Sequence, residues 1–135
     1  MTTRREQILD QIEVNLLTVA TMKEVKVNKS DPLDMETAVL PCSWVFSGSD
    51  TRVSGVVGYE NWQWEVFIEV WAQDTNMEEL LGAIHQAMFA GRNMNGLADN
   101  SYRTGCQMFA VDPEHSIEGM LLTYKVEFKH PLGIM

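Results

Sequence analysis

Lysine and arginine are scarce in this chain. Ten of them stand against nineteen aspartates and glutamates, a net charge of −9 over 135 residues. Proteins that grip nucleic acid neutralise phosphates with clustered cations; no such cluster occurs, so sequence-specific nucleic-acid binding is not expected. An acidic surface serves solubility, and it also suits a protein that lets DNA pass without holding it. Cysteine is rarer still. Cys42 and Cys106 give no disulfide framework and no C-x-x-C pair. Each falls at an inward position of an expected strand, where cysteine acts as a small apolar side chain, so both are expected as buried free thiols. No apolar run reaches the roughly 18 residues of a membrane span. The first seven residues lack the apolar core of a secretory signal, and synthesis in the cytoplasm is the expectation.

Catalytic signatures are missing as well. There is no G-x-S-x-G, no phosphate-cradling glycine loop, no H-E-x-x-H and no Cys/His cluster. The histidines are isolated: His85 beside the apolar stripe of a helix, His115 in a turn, His130 at a strand end. A hydrolase would need His85 and an acidic partner to converge, and no nucleophile is placed near a base. Asp31, Asp34 and Glu36 crowd one loop, but their spacing fits no calcium loop and reads as solvated. Glu65 and Glu69 lie roughly 13 Å apart along a strand, too far for a glycosidase pair. The sequence therefore reads as a non-enzymatic protein with no cofactor and no metal.

What is present is a long run of period two. From Asn61 to Gln73, Trp62, Trp64, Val66, Ile68, Val70 and Ala72 share one face of an extended strand. Gln63, Glu65, Glu69 and Gln73 share the other, with Phe67 and Trp71 as apolar exceptions. At about 3.3 Å per residue this strand spans roughly 40 Å, against a usual five or six residues. A strand longer than its own core needs another cover for its ends, and a neighbouring subunit supplies one. Trp62, at the strand's start, reads equally as core or as interface. Trp71, outside by alternation, reads as interface.

Around that strand the chain organises as one domain over residues 1–135. Thr3-Arg4-Arg5-Glu6 is a capping box, and Ile8, Leu9, Ile12, Leu16 and Val19 follow at helical spacing to about Ala20. Glu24–Val27 alternates as a short strand, and Asn28–Asp34 is a polar loop. Ala38, Leu40, Cys42, Trp44 and Phe46 form a second strand's inward line, with Pro41 pointing outward at its start or marking an edge. Ser47-Gly48-Ser49-Asp50 reads as a turn, and Val53–Gly58 as a strand, a bulge or a mobile connection. Thr75-Asn76-Met77-Glu78 caps a second helix, with Met77, Leu80, Leu81, Ile84, Ala87 and Met88 as its stripe and Gly91 as its stop. Arg92–Arg103 reads as a surface loop. Cys106, Met108 and Ala110 alternate inward, Asp112–His115 turns, and Met120, Leu122, Tyr124, Val126 and Phe128 line a last strand. Helix, strands, helix, strands, without regular β-α alternation, gives an α+β class: a mixed or antiparallel sheet with two helices packed on one face.

This layout, a capped helix, a sheet, the aromatic strand Trp62–Trp71, the helix Thr75–Gly91 and a closing hairpin through Val111-Asp112-Pro113 to Leu122–Phe128, resembles the tail-terminator (minor tail) proteins of long-tailed bacteriophages and prophages. The resemblance spans nearly the whole chain and rests on layout and strand character. It implies a structural virion-assembly protein: a homo-oligomer, typically a hexamer ring, that caps the tail tube, stops its growth and presents the surface for head joining. Its partners would be the tail tube protein and the head-completion protein, with DNA passing through the ring and no membrane involved. Assembly would occur in the bacterial host cytoplasm, and the protein would end in the virion tail. On that basis Trp62, Trp71 and Phe67 are the expected subunit interface, and Glu65 and Glu69 the acidic channel lining; Glu60 departs from their parity. The competing reading is a small-molecule-binding α+β domain with Trp44, Trp62 and Trp64 around a pocket between sheet and helices.

Overall fold

Two amphipathic helices and five strands make up the described residues. The computed structural model describes residues 4–20, 22–27, 40–56, 59–73, 77–90, 96–112, 114 and 117–131. The elements are α1 (Arg4–Leu17), β1 (Glu24–Val27), β2 (Cys42–Val56), β3 (Tyr59–Gln73), α2 (Met77–Ala90), β4 (Asn100–Asp112) and β5 (Ile117–Pro131). The sheet order is β1-β2-β3-β5-β4. Only β1–β2 is parallel; the other three pairings are antiparallel, so the sheet is mixed. The expected capping residues Thr3 and Thr75, the stop at Gly91, the loop with Asp31, Asp34 and Glu36, and His115 lie outside the described residues.

The core follows from two matched alternations. Trp64, Val66, Ile68, Val70 and Ala72 of β3 point to the same side as Met120, Leu122, Tyr124, Val126 and Phe128 of β5, and all ten are buried. The helices cover that side with Ile8, Leu9, Ile12 and Leu16 of α1 and Met77, Leu80, Leu81, Ile84 and Met88 of α2. Each such apolar side chain contributes about 1.5–3 kcal/mol on leaving water. At the crossing of α1 over the sheet, the Arg5 guanidinium lies 5.5 Å from the ring centres of both Trp62 and Phe128, a cation–π contact that seats the helix on the strands. Arg4 Nη1 donates to the Leu97 carbonyl at 3.1 Å, tying α1 to the segment before β4.

In β2 the structure reverses the expected faces. Trp44 pairs with Glu69, Phe46 with Phe67 and Cys42 with Trp71, so all three sit on the side away from the helices. Ser43 and Val45 take the helix side, both fully buried, and Ser43 Oγ donates to Met22 Sδ at 3.2 Å. Pro41 is buried rather than outward, and its carbonyl accepts from the Lys23 amide at 2.9 Å. Ser47–Asp50 is not a turn: β2 runs through it with a register shift, and a second shift falls between Arg52 and Ser54. Glycine is required at that first irregularity. A Cβ on Gly48 would run into the Phe67 ring and lie 3.2 Å from Glu65 Cβ.

β4 starts at Asn100, inside the expected loop, and ends the sheet as a 13-residue edge strand. Cys106 and Met108 do face the helix side, opposite Leu122 and Met120, but both are exposed, because α2 does not reach that far across the sheet. Of the two thiols expected to be buried, only Cys42 is.

Candidate functional site

The residues singled out in the sequence divide between the two sheet faces. Phe67 and Trp71 lie on the face away from the helices, whereas Trp62 lies on the helix face beside Arg5. They therefore form no single patch. On the outer face, Trp44 and Phe46 stand 4.6 Å apart and Phe46 stacks on Phe67 at 5.3 Å, giving a half-buried aromatic row across β2 and β3. Trp71 is half-buried at one end of that face, its Nε1–H donating to Glu69 Oε1 at 2.6 Å. Opposite it in register, Gly119 brings no side chain.

The carboxylates Glu65 and Glu69 share the outer face but are already engaged. Glu65 meets Lys125 Nζ at 4.0 Å, Glu69 accepts from Trp71, and Glu127 accepts from Gln63 Nε2 at 3.2 Å. The outer face thus has an aromatic end (Trp44, Phe46, Phe67, Trp71) and a charged, hydrogen-bonded end (Gln63, Glu65, Lys125, Glu127). No pocket unites Trp44, Trp62 and Trp64. Trp64 packs edge-on to Phe128 at 6.2 Å beneath the helices, and Trp44 is on the other side of the sheet.

Sequence reasoning missed the surface along β4. On its helix side Met108 is 50% and Val111 55% exposed, and Phe89 on α2 is 61% exposed. A long edge strand presents unpaired backbone donors and acceptors, and natural proteins cover such edges or blunt them with charge. Here the first half of the edge carries exposed Arg103 and Thr104 and two register shifts interrupt it, but its second half exposes the apolar Met108 and Val111. The signal was available: Phe89 falls outside the α2 stripe, and the segment Cys106–Val111 holds apolar residues of both parities.

Between α2 and the start of β4 lies an open cleft of about 290 Å³, lined by residues that include His85, Met88, Phe89, Ser101, Arg103 and Tyr124. Burial pushes the Tyr124 phenol up to about 12, against the pull of the Arg103 charge. Burial likewise raises the Cys42 thiol to about 11, with Glu24 and Glu69 adding to the shift. Neither group is ionised near neutrality. Among the described residues no three His, Cys, Asp or Glu side chains stand together as a metal site, and no helix is long and apolar enough to cross a membrane.

No family model matches the chain, and no curated protein matches it. Among solved structures, a chain of the virion of a native gene transfer agent (GTA) particle is similar over 91% of this chain and 92% of its own length, at 10% identity and a TM-score of 0.40. A likeness at that level carries no functional weight by itself.

Proposed function

We propose that this chain is a non-enzymatic structural protein of a phage or prophage tail, a subunit that closes into a ring, ends the tail tube and presents the surface to which the head is joined. The layout resemblance in the sequence motivates the reading. The observation that carries it is the β4 edge, a 13-residue strand with the side chains of Met108 and Val111 about half exposed along it and Phe89 exposed on the neighbouring helix. A ring needs two different patches per subunit, because a head-to-tail contact repeats around an axis until it closes. The β4 edge is one patch. The aromatic end of the outer face, with Phe67 and Trp71, is the second. Trp62, on the helix face, takes no part in that second patch. The charged end of the outer face, with Glu65, then turns to the central channel, where carboxylates repel the DNA backbone and let it slide. Glu69, held by Trp71, lies inside the aromatic end, between Phe67 and Trp71 and opposite Trp44.

The test is functional. Purified protein added to growing tail tubes is expected to appear by negative-stain microscopy as a cap at one tube end and to halt elongation. Tubes that lengthen at the same rate and carry bare ends would overturn the reading.

A further inference from the structure

Among the described residues two hydroxyls are shut away from solvent without a hydrogen-bond partner, Tyr124 Oη and Ser101 Oγ. Buried polar groups are nearly always paired, so each exception calls for an explanation. Both residues line the cleft between α2 and β4, and both are more than nine-tenths buried. Arg103 stands directly across from Tyr124 in the β4–β5 register and is exposed. Met88 and Phe89 give the cleft an apolar wall, and among the described residues no aspartate or glutamate lines it. In a chain of net charge −9 this is a local inversion, with a cation and hydroxyl donors gathered among described lining residues that include no carboxylate.

We infer that this cleft receives a carboxylate group, with Arg103 as its counter-charge, Tyr124 and Ser101 as O–H donors, and Met88 and Phe89 against the stem that carries it. A carboxylate accepts up to four hydrogen bonds, so it satisfies both orphan hydroxyls and the guanidinium together. The exposed side chains of Phe89 and Arg103 turn aside to admit it. At about 290 Å³ the space is that of a side chain or a small organic acid. The group comes either from a free small acid or from an Asp or Glu of a second copy docked along β4. The inference does not rest on the ring reading, since a monomer that takes up a small acid satisfies it.

The experiment titrates the full chain with benzoate and butyrate, using benzamide and butyramide as neutral controls, and follows backbone amide resonances. The acids are expected to shift Ser101, Arg103 and Tyr124 while the amides do not. Arg103→Gln and Tyr124→Phe are each expected to weaken binding about tenfold or more, as for a lost hydrogen bond to a charged group. Tyr124→Phe is expected to melt no lower than the parent, because it removes a group with no partner in the free chain. If a neighbouring copy supplies the carboxylate, excess benzoate instead lowers the assembled mass, and Arg103→Gln assembles more weakly. Equal response to acids and amides, a lower melting temperature for Tyr124→Phe, or no shift together with no change in mass would each overturn the inference.

Discussion

Stability at alkaline pH gives a quantitative test of how β2 is seated. Cys42 is fully buried on the outer face, opposite Trp71, and its thiol is raised from 9.0 to about 11 by burial first and then by Glu24 and Glu69. The unfolded chain ionises this thiol near its ordinary value while the folded chain holds it neutral. Its contribution is therefore intact below pH 9 and disappears as the pH climbs toward 11. Two pH units at about 1.4 kcal/mol each make a loss of about 3 kcal/mol. Tyr124, raised from 10.0 to about 12 by burial and opposed by Arg103, adds a second loss over the interval above it. The assay is urea unfolding at half-unit steps from pH 8 to 11. Cys42 alone is expected to give a slope that rises from about 0.7 to about 1.1 kcal/mol per pH unit between pH 9 and 10, and Tyr124 steepens it beyond 10. Cys42→Ala is less stable at pH 8 because it leaves a small cavity, but it should stay flat until Tyr124 begins to matter. An identical pH slope in the two proteins would refute the burial of Cys42 described above.

Two further pairs of substitutions probe the sheet faces. Gly48→Ala forces the new Cβ against the Phe67 ring and is expected to cost about 1–3 kcal/mol in urea unfolding. Combined with Phe67→Ala it should cost clearly less than the sum of the two, and strict additivity would contradict the contact. Trp64→Ala, at 2% exposure beneath the helices, is expected to cost about 3–5 kcal/mol. Trp44→Ala on the outer face should cost less than half as much, and equal losses would show that the two indoles share one environment.

The residues differ in how plainly they declare this fold. β3 and β5 were legible because one parity of each is apolar without interruption and the helices cover that parity. β2 was not, because its largest apolar residues, Trp44 and Phe46, lie on the uncovered face, whereas its buried line includes the small Ser43. Alternation shows which side chains share a face, and it is silent on which face the helices cover. The Ser-Gly-Ser-Asp stretch misled for a related reason: a bulge inside a strand and a turn between strands call for the same small, permissive residues. At β4 the parity of Cys106 and Met108 was right and their burial wrong, since how far α2 reaches across the sheet is a property of packing. The tryptophan-lined pocket failed with the β2 face. The candidate interface residues Phe67 and Trp71 do lie on the face away from the helices, but the exposed edge at β4, beyond β5 and on the other face, depends on strand order, which no local pattern encodes.

The claim that organises this account is that the β4 edge is completed by another copy of the same chain. The mass of the purified protein in solution, measured by light scattering over a wide concentration range, tests it most directly. The account predicts a closed oligomer that grows in population with concentration and that Met108→Lys combined with Val111→Lys reduces to a folded monomer. Burying about half of each of Met108 and Val111 is worth roughly 1 kcal/mol apiece, so the double variant should weaken each contact by about thirtyfold or more. A parent protein that stays monomeric at the highest concentration, or a double variant with undiminished mass, would contradict it.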